Sequence, residues 1–562
     1  MSYLPLDTAE AELIIPELIM LTGLIAIILI PNFGDATFRI PLSRIKVPIF
    51  IGGNRFKLTS NPKLPNQVSL LIFSAAFFFG LIQTSYGYVG DTLEVTAFSR
   101  IFTLIFTAAL ILATIATTHR IPARTNLQAP NDNDSETITT KKIDALIDNR
   151  RQVDFHIILI MVGLGMSLMS MATHLFMLFV CIELASLSSY ILVAFHKETK
   201  VGGEAGMKYF IVGSVASAVG IYGMSLLYLW SGDLSLDALS SKWMESETID
   251  PIAGIAVGLM LVAFGFKVGA APFHLAAPDA YSGASSPVAG LLATASKAMG
   301  FVALMRILIT VTMPDSGEAF WFSTIAIISI VTMTWGNLAA LTSTNPKRIL
   351  AYSSVAHAGY MLAGLAAIGS GLASEEAMKL VLTAIIFHLA VLVVFKFGAF
   401  LVLSLLETEG RSHQLEDLHG LARREPLIAG SMFLFMLSLA GVPPLSGFLS
   451  KFLMINGIVN ISAGTGASDV SSVMDWLISV EPVFWLAFAI VLNSALSMFY
   501  YLRIGLVMFF EEPENTKPMK DAFSLRIAIV LCALLTVIIG IGPLSDSLLQ
   551  MVNDAVDSFI SN

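Results

Sequence analysis

The stretch FGFKVGAAPFHLAAPDAYSG, residues 264–283, closes an apolar run that begins near Pro251. Its reading decides the fold, because it is apolar enough for a membrane yet too irregular for an ordinary span. Lys267 falls inside it and Pro272 follows five residues later. His274 lies seven residues from Lys267, two helical turns on and near the same face. Proline removes a backbone donor and clashes with the preceding turn. Inside a bilayer such a break is tolerated only where protein or water meets the freed carbonyls. These residues predict a broken transmembrane helix beside a hydrated polar pocket.

Outward from this stretch the chain is of the same kind. Of its 562 residues 56% are hydrophobic and 13% charged, roughly half the charged fraction of a soluble domain. Apolar runs of about 20 residues, enough to cross a bilayer as a helix, recur throughout. They predict an all-α polytopic membrane protein with about fourteen spans: 11–31, 68–90, 95–118, 154–171, 173–196, 205–230, 251–276, 286–310, 319–341, 347–369, 376–407, 427–461, 483–510 and 525–548. The N-terminus is acidic and lacks a basic region, so the first run is expected to be a retained span. The segment 119–152, containing NDNDSETITTKK, is expected to be a polar cytoplasmic loop and no more.

Loop charges give an orientation. Loops after odd-numbered spans, with their edges, hold nearly all the cations, among them Arg39, Arg44, Lys57, Arg124, Arg151, Lys200, Lys347, Arg348, Arg411, Arg423, Lys517 and Lys520. Those after even-numbered spans hold essentially Lys242, beside acids such as Asp233, Asp237, Glu245, Glu247, Asp469 and Asp475. Arg100 and Lys379 are the exceptions. The asymmetry places the odd loops in the cytoplasm and both termini outside.

The composition excludes several classes. Cys181 and Cys532 are the only thiols, too few for a four-cysteine iron–sulfur cluster. The polar segments hold no glycine-rich phosphate loop. No redox cofactor, metal, bound nucleotide or nucleic-acid partner is expected in this chain.

A charge at a helix centre costs about 2.5–3.5 kcal/mol on insertion scales. Glu183, Lys267, Lys297, Lys396 and Lys451 all sit inside predicted spans, with His357 and His388. Such groups must pair, shift their protonation or face internal water, and residues with that behaviour are what a proton path needs. The twelfth span repeats the opening motif: LAGVPPLSGFLSKFLM (439–454) sets Gly441, Pro443 and Pro444 mid-span, with Lys451 just beyond. Spans 4–8 and 9–13 then form two sets of five, each with its fourth member broken. Five is odd, so the second set enters the membrane inverted, an arrangement found in transporters. The expected division is 1–153, three helices with cytoplasmic loops; 154–310, a first repeat; 319–510, a second, inverted repeat; and 511–562, a C-terminal helix.

The segments CIELASLSSYILVAF (181–195), EAGMKYFIVGS (204–214), FKVGAAPFHLAAPDAYSGASSPVAGLLATASKAMG (266–300), NPKRILAYSSVAHAGYML (345–362) and LAGVPPLSGFLSKF (439–452) carry a specific resemblance. They resemble the subunit N family of proton-pumping NADH-quinone oxidoreductase, respiratory complex I, which is related to Mrp-type cation/proton antiporters. The resemblance covers spans 4 to 13. ELASLSSY and PDAYSG favour N over the sister subunits L and M, as does the lack of a long amphipathic helix after the fourteenth span.

The resemblance implies that Glu183 tunes the charge of Lys208 or Lys267 and that Lys267 is the central switch. It further implies that Lys297 and His274 continue the axis and that Lys451 connects to the opposite side. Partners implied are other membrane-arm subunits, with antiporter-like subunit M and small subunit K as neighbours, in an inner, plasma or thylakoid-like membrane. Quinone reduction, iron–sulfur clusters and any flavin would reside in those partner subunits. The chain departs from the family at Ala276 and Ala277, where an aromatic or polar residue is common. It departs also at Lys396, where a neutral residue is usual. Lys396, with His388 two turns earlier, either extends the path or serves as a local salt-bridge partner.

Each candidate has a plainer reading. Lys267 and Lys297 could form buried structural ion pairs, and Glu183 could cap or pair. Lys208 could snorkel to the headgroups with Glu204 as its helix-end partner. His274, His357 and His388 could satisfy interhelical hydrogen bonds. Arg306 and Arg503, near span ends, are read as anchors. Two other functions compete with the respiratory one: a free-standing cation/proton antiporter and a scaffold whose channel has lapsed.

Overall fold

A computed structural model describes residues 7–29, 64–118, 135–196, 199–246, 248–314, 316–410, 414–463, 481–513, 519 and 522–561, with a strand pair at 37–39 and 46–48. The orientation charges Arg44, Lys57, Arg124, Glu247, Arg411, Asp469, Asp475, Lys517 and Lys520 lie outside the described residues.

The protein is an all-α polytopic membrane protein. Helices α1 (Thr8–Leu13) and α2 (Ile15–Leu29) precede a strand pair, β1 (Thr37–Arg39) and β2 (Lys46–Pro48). Helix α3 (Leu64–Ile82) leads into the hairpin β3 (Gly87–Val89)–β4 (Leu93–Val95), then α4 (Ala97–Thr117), α5 (Ser135–Met171), α6 (Leu175–Val193), α7 (Lys200–Ser231) and α8 (Leu236–Glu245). Helix α9 (Pro251–Val268) is followed by a short 3₁₀ turn at Phe273–Leu275, α10 (Ala276–Gly283) and α11 (Ser286–Leu291). A π-helical stretch at Leu292–Ser296 leads to α12 (Lys297–Met305). There follow α13 (Phe322–Thr342), α14 (Pro346–Ile368), α15 (Glu375–Glu407), α16 (Leu421–Arg424), α17 (Pro426–Ala440), α18 (Ser446–Ala463), α19 (Pro482–Phe510), α20 (Phe523–Ile541) and α21 (Pro543–Ile560).

Among the described residues twelve helices are long and apolar enough to cross a membrane, and Ile15–Leu29 and Pro426–Ala440 are shorter apolar helices. Three spans form the centre: Ser286–Val311, Pro346–Ile368 and Glu375–Glu407 are buried along almost their whole length. Lys200–Ser231, Phe322–Thr342, Pro482–Phe510 and Phe523–Ile541 expose more than half of theirs. Their outward residues, such as Leu229, Ile327, Phe499 and Leu534, are apolar, as a lipid-facing surface requires. Small residues let α13 close up on the central helix α14. A Cβ on Gly359 would meet the Met333 backbone at 2.5 Å, and one on Gly336 the Ala356 backbone at 2.7 Å. Membrane helices pack through such small residues because lipid supplies no hydrophobic drive between them.

The chain interrupts itself twice. Helix α9 stops at Gly269, φ +75°, and helix α17 at Gly441, φ +86°, a left-handed conformation that favours glycine. The Ala271–Pro272 and Pro443–Pro444 bonds that follow are cis.

Three boundaries differ from expectation. The second span ends at Ile82, not 90, because Gly87 and Gly90, both with positive φ, turn the chain into a hairpin. Residues 135–150 are helical rather than loop, as the start of α5. Polarity tells whether a segment meets water, not whether it is helical. The twelfth segment, 427–461, expected to be broken near Gly441, runs as two helices, Pro426–Ala440 and Ser446–Ala463. The fourteenth span ends at Ile541, and an 18-residue amphipathic helix, α21, follows. Its apolar positions Val552, Val556 and Phe559 recur at helical spacing and are buried, with Phe559 stacked on Phe98. The apolar residues of α21 had extended the span when read by hydropathy alone.

Both orientation exceptions find partners. Arg100 is buried 3.6 Å from Glu17 and donates to the Leu13 carbonyl at 2.8 Å. Lys379 pairs with Glu375 at 3.1 Å and with Asp557 of α21 at 3.0 Å. Arg306 is not an interfacial anchor: it is buried, donates to the Ser170 carbonyl at 3.0 Å and lies over the Phe98 ring.

Candidate functional site

Lys267 occupies the last turn of α9, just before the break. Its Nζ donates to Ser186 Oγ and, at 3.0 Å, to Tyr190 Oη, both on α6. The amine also lies over the Tyr190 ring, 5.0 Å from its centroid. Ser186 and Tyr190 stand one turn apart on α6, so both reach the same neighbour. Glu183, one turn earlier, accepts from Ser217 of α7 at 2.6 Å. It sits beside this cluster, although no direct bond joins it to Lys267. Lys208 is elsewhere. It is about half exposed and pairs with Glu204 at 2.7 Å and Asp279 at 2.9 Å, while Asp279 also pairs with Arg348.

The break brings the next amine close. A Cβ at Gly269 would be 3.9 Å from Lys297 Nζ, so the glycine opens the backbone beside that lysine. Lys297 is buried, and its Nζ donates to the Ser354 carbonyl of α14. His274, in the 3₁₀ turn after the break, is 3% exposed, and neither ring nitrogen has a hydrogen-bond partner. Its ring meets Trp335 edge-on at 6.0 Å. It is therefore near the break but not bonded to the lysines.

The second half carries an unbroken file of hydrogen bonds. Lys396 Nζ donates to Ser353 Oγ at 3.0 Å, and Ser353 meets the Tyr501 hydroxyl. Tyr501 Oη is 3.3 Å from His357 Nε2, and His357 Nδ1 is 2.9 Å from His388 Nε2. His388 Nδ1 is 2.8 Å from Ser450 Oγ. Next to Ser450, Lys451 donates to the carbonyls of Leu439 at 2.9 Å and Ala440 at 3.3 Å, the last residues before the second break. It also lies over the Tyr360 ring. The ended helix thus supplies bare carbonyls, and the lysine satisfies them. Every member of the file has both a lone pair and a proton to give, or is an amine that can lose one. Such a file can relay a proton.

Lys267, Lys297, Lys396, Lys451, His357 and His388 thus come together along α9, α12, α14, α15 and α18, with Glu183 at one end. Lys208 stands off this line. Sequence reasoning missed Ser186, Tyr190, Ser217, Ser353, Ser450 and Tyr501. Clusters of hydroxyl residues inside apolar spans, SLSSY (186–190) and YSS (352–354), were the available signal.

Comparison with known proteins places the chain in a family. Residues 172–475 match a family model described as NADH:quinone oxidoreductase/Mrp antiporter, transmembrane. The chain is 37% identical over 399 residues to NADH-quinone oxidoreductase subunit N of Heliobacterium modesticaldum, covering 71% of this chain and 77% of that one. Over 393 residues it is 34% identical to the subunit N of Moorella thermoacetica, covering 70% and 76%. Its fold is similar to a chain of respiratory complex I from Thermus thermophilus with bound aureothin, with TM-score 0.68, 26% identity and 95% and 98% coverage. A chain of the Mrp complex from Dietzia sp. shares the fold at TM-score 0.72 and 19% identity, with 98% and 97% coverage.

Proposed function

The chain belongs to the NADH:quinone oxidoreductase/Mrp antiporter family, with relatives named subunit N, and from that premise we propose that it moves protons through the middle of the membrane. It is a multi-pass subunit of a complex I type assembly. The proposed path runs from Glu183 through Lys267 and Lys297 to Lys396, His357, His388 and Lys451. The single observation that carries it is the file from Lys396 through Tyr501 and the two histidines to Ser450, every member a buried side chain.

The energy comes from quinone reduction in other subunits, which also hold the iron–sulfur clusters and any flavin. Glu183 receives the signal: a charge change in a neighbour alters its hold on the Ser217–Tyr190–Lys267 cluster. Antiporter-like subunit M and small subunit K are the proposed neighbours. Uptake is from the cytoplasm through the first repeat and release through the second, with both termini on the non-cytoplasmic side, as the loop charges suggest.

The test is Lys267→Ala in the assembled complex. Proton pumping coupled to quinone reduction is expected to fall about 10²-fold, the scale of losing one positioned acid–base group. Undiminished pumping would show the central role to be wrong.

A further inference from the structure

Away from the proton file, three central helices meet in one largely buried cluster, with Lys347 2% and Glu407 21% exposed. Glu407, the last residue of α15, accepts from the Ser286 backbone N–H at 3.1 and 3.0 Å and from Ser286 Oγ at 2.7 Å. It also pairs with Lys347, in the first turn of α14. Lys347 is 2% exposed and donates in addition to the Ala284 carbonyl at 3.0 Å, two residues before Ser286. One carboxylate and one amine thus fasten the start of α11, the start of α14 and the end of α15.

Helix α12, which continues α11 through the π-helical stretch, and helix α15 carry two of the proposed path's amines deeper in the membrane. Lys297 lies eleven residues beyond Ser286, and Lys396 lies eleven residues before Glu407, about 16 Å of helix in each case. Both amines converge on neighbouring residues of α14: Lys297 on the Ser354 carbonyl, Lys396 on Ser353 Oγ. These serines follow Lys347 by six and seven residues. Lys297 and Lys396 thus reach adjacent residues of α14, and among the described residues neither has a carboxylate ion-pair partner. Coulomb repulsion varies with separation, so the sliding of one helix changes how the two amines share protons. The π-helical stretch Leu292–Ser296 lies between Ser286 and Lys297, and such interruptions of an α-helix are frequent at functional sites.

We propose that Glu407 is a positioning residue: with Lys347 and Ser286 it sets the register of α11–α12 and α15 on α14, and so the spacing of Lys297 and Lys396. This rests on the proton path proposed above. The tie touches no member of that path and acts only through it.

The test uses the assembled complex in membrane vesicles, reading protons moved per quinone reduced alongside uncoupled quinone reduction. Glu407→Gln keeps the shape and one acceptor oxygen but loses the charge. It and Lys347→Met are expected to leave quinone reduction intact and to lower protons per quinone about tenfold, as small misplacements of reacting groups do. Glu407→Asp should recover most of the loss. In a Lys297→Ala background Glu407→Gln should add nothing further. Wild-type pumping by both Glu407→Gln and Lys347→Met would overturn the tie, as would a further loss on top of Lys297→Ala. If Lys297→Ala alone pumps normally, it is the lysine path that falls. Should Glu407→Gln fail to assemble, Ser286→Ala, which removes one hydroxyl, carries the test: a lowered ratio supports the tie and a wild-type ratio refutes it.

Discussion

The imidazoles of His357 and His388 lie nearly parallel, 13° apart with centroids 5.1 Å from each other, and Nδ1 of the first is 2.9 Å from Nε2 of the second. Two nitrogens at that distance share one proton. If His357 donates, its Nε2 accepts from Tyr501 and His388 Nδ1 donates to Ser450. If His388 donates, both outer bonds reverse. The pair therefore has two tautomeric arrangements, and switching between them carries a proton from one end to the other.

Replacing His388 with alanine breaks that file at its centre. Pumping per quinone in vesicles is expected to drop about 10²-fold, with uncoupled quinone reduction retained. Pumping at the wild-type ratio would mean that protons bypass the histidines.

Tyr190→Phe removes one of the two hydroxyls that hold Lys267 and leaves Ser186 in place. The loss of that bond should cost about 1 kcal/mol of stability. Pumping should fall by less than in Lys267→Ala. A thermal-unfolding series read beside the pumping assay checks both; equal loss in the two variants would mean that Tyr190 does more than hold the amine.

The two break glycines should respond differently to alanine. Both have positive φ, so each substitution carries a backbone cost of about 1–2 kcal/mol. A Cβ at Gly441 would come 3.1 Å from Lys451 Cδ, whereas at Gly269 nothing lies nearer than 3.9 Å. Similar drops in melting temperature are expected, with pumping impaired more in Gly441→Ala. The reverse order would argue against displacement of Lys451.

Just before α17, the Glu425 carboxylate accepts hydrogen bonds from Arg526, in the first turn of α20, at 2.7 and 2.8 Å, and these hold its pKa below the ordinary 4.5. A lowered carboxylate pKa contributes stability that is present above the ordinary value and lost as pH falls through the folded value. The melting-temperature gap between wild type and Arg526→Gln should therefore be constant near neutrality and close as the medium is acidified below pH 4.5. A gap that persists in acid would locate the effect in packing of the Arg526 side chain.

The buried lysines, Glu183 and the two proline-bearing interruptions were legible from residue order, because the cost of a charge or a proline in lipid depends on depth along one helix. Lys208 was not. The segment 204–214 placed it near the path, but its orientation on α7 turns it toward Asp279. Nor was the pairing of the chosen residues legible. His357 finds Tyr501 across 144 positions, and Ser353 finds the same hydroxyl across 148. Ser450 and Tyr501 are common residue types that gain meaning only from what stands opposite them.

By itself the sequence determined that this chain crosses the membrane many times as helices and that it keeps ionisable groups where lipid makes them costly, since hydropathy and charge add up locally along the chain. Only the tertiary structure decided which hydroxyls and imidazoles join those groups and how Glu407 and Lys347 fasten the helices that carry them. Hydrogen bonds need heavy atoms about 3 Å apart, and helix packing alone sets distances of that size between residues far apart in sequence.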